Sequence, residues 1–181
     1  MAKGNLEVSL PEPYLGGGIS AEVFEEGGVK PAFIIRTDQE WGVKVRWQLK
    51  GSLAEFICGD WCVHLRMESM GPGHELKFTP SKRIPLNPCG NGEYEFTFRI
   101  KPGQIKDAHC SIPYKPVVTV TYYTACDRPG PMAGFVELPI LQFYPVGGKV
   151  KNGGNGSHEA HDIEARLEAE VEAEGEEELA L

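Results

Sequence analysis

A strict two-residue alternation of apolar and polar side chains constrains this chain more than any other feature. In residues 41–51, WGVKVRWQLKG, the side chains of Val43, Val45, Trp47 and Leu49 share one face. Lys44, Arg46, Gln48 and Lys50 share the other. The same period recurs in 61–68, where Trp61, Val63, Leu65 and Met67 alternate with Cys62, His64, Arg66 and Glu68. It recurs again in 93–100, where Tyr94, Phe96, Phe98 and Ile100 alternate with Glu93, Glu95, Thr97 and Arg99. Successive side chains of a strand point to opposite faces, so each segment is a strand with one dry and one wet side. Strands of that kind belong to antiparallel sheets, because parallel sheets are covered on both faces.

Further strands follow from β-branched and aromatic content: KPVVTVTYYTA and GFVELPILQFY, with ISAEVF, AFIIRT, HELKF and KRIPL as shorter or edge members. Turn residues at 71–73, 87–92, 101–103 and 127–131 separate them. Seven to nine short strands with no helical segment between them mean a sandwich or a barrel, and the expected class is an all-β, antiparallel β-sandwich. The architecture resembles immunoglobulin- or fibronectin-like sandwiches, a likeness of layout that carries no function with it.

Composition divides the chain around that core. Residues 1–18 are rich in Pro and Gly and read as an arm with little regular structure. Residues 19–146 form the sandwich domain, 147–157 (GGKVKNGGNGS) a flexible linker, and 158–181 an acidic tail. Ten of the 26 acids and only one of the 18 Lys and Arg residues lie from His158 onward, which leaves the body at 16 acids against 17 bases. A near-neutral body has no basic footprint for nucleic acid, and the tail opposes such binding. No apolar run approaches the roughly 18 residues a membrane span needs. The first residues carry no secretion-signal pattern, so cytoplasmic residence is the default expectation and the Asn155-Gly156-Ser157 sequon carries no weight.

In the tail, Ala160, Ile163, Leu167 and Val171 follow helical spacing and form a narrow apolar stripe. Glu164, Glu168, Glu172 and Glu176 repel along the same helix. Ile163, Leu167 and Val171 are therefore the candidate contacts of a recognition helix that folds in a partner's basic groove, the alternative being a solubilising acidic tail.

The pair Cys58 and Cys62 is not a ligand or redox motif. On a strand, four residues span about 13 Å at roughly 3.3 Å each, too far for one zinc. A redox pair needs two intervening residues, and three stand here. The apolar phase also shifts between Phe56 and Trp61, which predicts an irregularity at Gly59-Asp60. Cys58, Cys89, Cys110 and Cys126 all border turns. If HELKF and KRIPL form a hairpin and each strand reverses the last, Cys58 and Cys110 share one end of the sandwich, and Cys89 and Cys126 the other. Those two pairs are the candidate disulfides in an oxidising setting, with Cys62 left over. The lack of an export signal favours reduced thiols.

Catalytic patterns are missing. His74 stands beside Glu75 without the second histidine of a zinc-protease helix, and no nucleophile elbow, phosphate loop or dinucleotide fingerprint occurs. Asp38, Glu40 and Asp60 lack the spacing of a calcium loop. No cofactor and no metal are expected. Trp47 and Trp61 fall on the inward faces and fill the core, whereas Trp41 is read as an exposed ring and a candidate ligand contact. The leading expectation is a non-catalytic structural or adaptor module, its sandwich docked in a protein assembly and its tail on a second partner. A loop-based binder of a small ligand or glycan is the alternative. The sequence leaves an oligomer open.

Overall fold

The computed structural model describes residues 1–26, 33–71, 73–80, 83–106 and 112–145. Eleven strands run in chain order: β1 (Ala2–Val8), β2 (Gly16–Glu25), β3 (Ile34–Arg36), β4 (Trp41–Lys50), β5 (Gly59–Ser69), β6 (Leu76–Phe78), β7 (Ile84–Pro85), β8 (Glu93–Ile100), β9 (Tyr114–Thr124), β10 (Pro129–Glu137) and β11 (Gln142–Tyr144). The only helical element among the described residues is a 3-10 turn at Ala54–Phe56. No described helix is long and apolar enough to cross a membrane.

The main sheet is antiparallel throughout, in the order β6-β5-β9-β10-β1-β2-β4-β8, with β7 also on β5. Its shape turns on β1, which divides its pairing. Ala2–Asn5 pair with β2, and Leu6–Val8 pair with β10. One half-sheet is thus β1-β2-β4-β8 and the other β1-β10-β9-β5. They curl toward each other until their inner faces meet, with Trp47 and Trp61 edge to face at 6.3 Å. Tyr94 closes the group, stacked on Trp47 at 5.6 Å and edge-on to Trp61 at 6.0 Å. The open edges approach through the β7–β8 connection, where the Leu86 N–H donates to the Gly59 carbonyl and the Asn87 N–H to the Tyr94 hydroxyl. The result is one antiparallel sheet nearly closed into a barrel. The expected antiparallel, all-β class holds, but β1 joins the two layers instead of leaving them as separate sheets.

The alternation places its residues as expected. Val43, Val45, Trp47 and Leu49 of β4, Trp61, Val63, Leu65 and Met67 of β5, and Phe98 and Ile100 of β8 are buried. The indole N–H groups of Trp47 and Trp61 are buried with no hydrogen-bond partner among the described residues. At about 1–3 kcal/mol for each such group, this aromatic core sacrifices polar satisfaction for apolar packing. The break of phase falls at Gly59, where φ is 143° and an added Cβ would meet the Tyr123 carbonyl oxygen at 2.1 Å.

Four expectations are corrected. Residues 1–18 are no arm: they contain β1 and the first residues of β2. Their apolar pattern is sparse because β1 is held by ladders on both sides, and its glycines serve close approach. A Cβ on Gly4 would sit 2.4 Å from the Phe135 carbonyl oxygen, and one on Gly17 1.9 Å from that of Gln48. HELKF and KRIPL are not a hairpin: β6 and β7 both pair antiparallel with β5, as two pieces of one broken edge strand. The segment GFVELPILQFY is two strands, β10 ending at Glu137 and β11 turning away to pair in parallel with β3. Finally, Trp41 is buried, at 1% exposure. It begins the inward row of β4, and Phe143 of β11 covers its ring at 5.2 Å. The β3–β11 pair plugs that end of the barrel with Ile35 and Phe143, both fully buried.

Candidate functional site

The plug that buries Trp41 also carries a group of exposed apolar side chains. In the parallel register Ile34 faces Gln142, Ile35 faces Phe143, and Arg36 faces Tyr144. Alternation sends Ile35 and Phe143 inward, so Ile34 and Tyr144 stand on the outer face. They are 62% and 41% exposed, and the neighbouring Phe33 and Ile140 are 53% and 48% exposed. The Gln142 N–H donates to the Phe33 carbonyl, which fixes Phe33 at the entrance to the pair. Arg36, on the same outer face, is held by Asp38 at 2.8 Å. Its guanidinium is raised above the usual value, first by the hydrogen bond to Asp38.

A second feature is polar. The outer face of β1-β2-β4-β8 holds a groove of about 730 Å³ lined by Lys3, Asn5, Ser20, Arg46, Gln48 and Glu93, with Gly17 and Gly18 in its floor. Several of its polar groups pair with one another. Glu95 accepts from Lys44 at 2.8 Å and from Arg46 at 2.6 Å, and Gln48 Nε2 donates to Glu93 at 3.2 Å. Burial pushes the Glu95 carboxyl up, but the hydrogen bonds from Lys44 and Arg46 outweigh it and hold the group below the usual carboxylate range. Trp47 and Tyr94 also border the groove, and their rings pack on each other and on Trp61. The groove can present paired donors and acceptors to a polar ligand.

The third feature is on the outer face of β5, where Cys62 Sγ lies 3.2 Å from His64 Nε2 and His64 Nδ1 lies 3.0 Å from Thr79 Oγ1. Sequence reasoning placed both Cys62 and His64 outward but did not connect them. The signal was available: two residues apart on a strand means one face and adjacent side chains.

The other named residues are accounted for as follows. Cys58, Cys62, Cys89 and Cys126 are free thiols, Cys62 half-buried and the others exposed. β5 and β9 are antiparallel, with Gly59 opposite Thr124 and Ser69 opposite Tyr114. Cys58 therefore lies at the Cys126 end of β9, not at the end where β9 begins. The expected Cys58–Cys110 neighbourhood counted the broken edge strand as two reversals when it makes one. Cys110 itself, and Ile163, Leu167 and Val171 of the tail, lie outside the described residues. Asp38 and Glu40 are engaged by Arg36 and Arg99, the latter at 2.9 Å. The exposed His74 gives its carbonyl to the Tyr114 hydroxyl. No group of three or more metal-ligating side chains occurs among the described residues.

Comparison with known proteins finds no family model that matches the chain and no curated protein similar to it.

Proposed function

We propose that the chain is a non-catalytic interaction module, its two half-sheets serving as the layers of a sandwich-like scaffold. The barrel docks into a protein assembly through the outer face of β3–β11, and the acidic segment 158–181 contacts a second, basic partner. The observation that carries this reading is the group Phe33, Ile34, Ile140 and Tyr144, exposed together above the buried pair Ile35 and Phe143. Apolar side chains clustered on a rigidly anchored face are what a docking partner desolvates, whereas scattered ones need no explanation. Arg36 beside Tyr144 supplies a polar rim.

The test is a photo-cross-linking residue at position 34 of the full chain, followed by reconstitution with the purified partner it captures. Ile34→Asp should weaken that complex at least about tenfold, the loss of one buried anchor, with the melting temperature unchanged. Binding that is indifferent to Ile34→Asp and Tyr144→Ser overturns the reading.

The groove favours a second reading, a binder of small polar ligands or glycans, because Asn5, Arg46 and Gln48 line it together with Gly17 and Gly18. A glycan array with wild type and Gln48→Ala distinguishes it: specific binding lost in the variant supports this reading, and none at all removes it.

A further inference from the structure

The main sheet has two ends, and they are finished differently. At one end β6 and β7 are short pieces on β5, with Pro80 after the first and Pro85 inside the second. Short edges that carry proline resist the addition of another strand. At the other end β8 runs unbroken from Glu93 to Ile100, without proline or bulge, and β4 is its only partner among the described strands.

The ladder on β4 fixes which backbone groups of β8 face outward. The Leu49 N–H donates to the Gly92 carbonyl at 2.8 Å. Gln48 is opposite Glu93, so Leu49 and Gly92 are direct partners. Bonded and non-bonded pairs alternate along an antiparallel ladder. Tyr94, Phe96, Phe98 and Ile100 therefore turn their backbone N–H and C=O to β4, and Glu93, Glu95, Thr97 and Arg99 turn theirs to the outer edge. Turns cap that edge at both ends: the Glu93 N–H donates to Asn91 Oδ1 at 2.9 Å, and the Lys101 N–H to Gln104 Oε1 at 3.2 Å. The β7–β8 connection approaches at Tyr94. Along residues 95–99 no described strand pairs with the edge.

The side chains of this edge are complementary to their own reverse. Outward from Thr97, Phe96 and Phe98 are one step away, Glu95 and Arg99 two, Tyr94 and Ile100 three, and Glu93 and Lys101 four. Two such strands laid antiparallel, with Thr97 opposite Thr97, set every acid of one copy against a base of the other: Glu95 against Arg99, and Glu93 against Lys101. The half-buried Phe96 meets Phe98. Opposite charges and aromatic pairs are favourable partners across strands. The backbone admits this register, because Glu95, Thr97 and Arg99 all face the edge. A shift by one residue sets an edge-facing residue against one committed to β4. A shift by two puts Thr97 opposite a charge and shortens the matched run. Glu95 and Arg99 keep their bonds to Lys44, Arg46 and Glu40, yet their side chains are 46% and 56% exposed, within reach of a second copy.

We propose that the chain forms a two-fold symmetric dimer in which β8 pairs antiparallel with β8 of a second copy, Thr97 lying at the axis. The half-sheets β1-β2-β4-β8 of the two copies join into one continuous sheet. This contact is separate from the docking face on β3–β11 and does not depend on it.

The experiment is sedimentation velocity of the reduced full chain from about 1 to 100 μM. Wild type should become a dimer within that range. Thr97→Pro removes an N–H that faces the edge and spares the β4 ladder, a placement that edge strands tolerate. It should weaken association at least about tenfold through the hydrogen bonds lost at the axis. Glu95→Arg and Arg99→Glu each set like charges opposite one another twice, and each should weaken association at least about tenfold. An equimolar mixture of those two variants should dimerise, because in the mixed pair every charge again faces its opposite. The mixture decides independently of any effect of Thr97→Pro on folding. Ile34→Asp should leave the dimer intact. A chain that stays monomeric throughout, or a mixture no more associated than its components, overturns the proposal. So does a dimer lost in Ile34→Asp, which places the contact on β3–β11 instead.

Discussion

The two outer faces of this sheet are built on the same inner core yet hold their polar side chains in opposite ways. On β4 and β8 several outward residues are ion-paired: Lys44 and Arg46 share Glu95, and Arg99 pairs with Glu40, just before β4. On β5 the two outward residues that follow the core tryptophan, Cys62 and His64, are linked in a chain that ends on Thr79, just after β6. Exposed ion pairs in register on a sheet are worth little and are easily replaced. A neutral thiol–imidazole pair held half-buried by its neighbours depends on one geometry and one protonation state. The alternating pattern treats both faces alike, since it records only that a residue points outward. What differs is the chemistry of the outward residues and the strand that lies beside them.

The largest effect should come from the shared core. Trp61 touches Trp47 and Tyr94 of one half-sheet and Tyr122 of its own, at ring distances of 6.0–6.3 Å. Trp61→Ala should cost about 3–5 kcal/mol in denaturant unfolding, as truncation of a large buried aromatic does. Both outer faces should loosen with it, read as faster alkylation at Cys62 and faster amide exchange in β8. Loosening confined to one face would mean that the half-sheets are separate layers after all.

The next effect sharpens the groove side alone. Gly17 of β2 is pressed against β4, with room for no Cβ beside the Gln48 carbonyl. Gly17→Val should destabilise by about 1–3 kcal/mol, the range for overpacking, with Cys62 reactivity unchanged relative to the other thiols. A neutral result would show that β2 can shift away from β4, and the groove floor would then be adjustable.

How much of this was legible beforehand follows from the same physics. Inward residues of β4, β5 and β8 were readable because burial enforces alternation residue by residue. β1 was not, because Gly4 and Asn5 contribute backbone hydrogen bonds and closeness instead of apolar area. Trp41 was misread as exposed because its cover, Phe143, comes from the far end of the chain through a parallel pairing that no local pattern announces. The strand directions, and with them the Cys58 neighbourhood, failed on one count: β6 and β7 look like two strands in sequence and act as one edge. Cys62 and His64 were each placed on the correct face. Their contact with Thr79 depends on where that broken edge docks, which the residues of β5 do not encode. The tail and its apolar stripe at Ile163, Leu167 and Val171 lie beyond the described residues and stand as a proposal.

A smaller effect should follow from the ion pairs. Glu95→Gln removes one carboxylate that serves both Lys44 and Arg46, each of them partly solvated. The expected cost at neutral pH is under about 1 kcal/mol, measured by urea unfolding at low salt and shrinking as salt is added. A cost that is large and independent of salt would mean that the β4–β8 face is as tightly specified as the β5 face, and the contrast between them would collapse.

The smallest effect, a slope of stability with pH, separates the two faces by where it occurs. His64 has a folded value below its ordinary one, chiefly through burial, with Lys77 and Arg66 adding to it. An unfolded histidine takes up its proton near pH 6.5. As pH falls through that value the unfolded chain binds a proton that the folded chain refuses, so stability declines, and the decline ends below the folded value. Above about pH 6.5 the penalty is absent. Glu95 behaves in the other window: its folded value is depressed, so its contribution is present above the ordinary carboxylate range and is lost as pH falls through the folded value. Melting temperatures recorded from pH 8 to pH 3 should therefore show two steps in wild type. His64→Gln should flatten the upper step and keep the lower one, and Glu95→Gln should do the reverse. If His64→Gln leaves the upper step intact, the step belongs to other groups, and burial on this face does not hold the imidazole below its ordinary value.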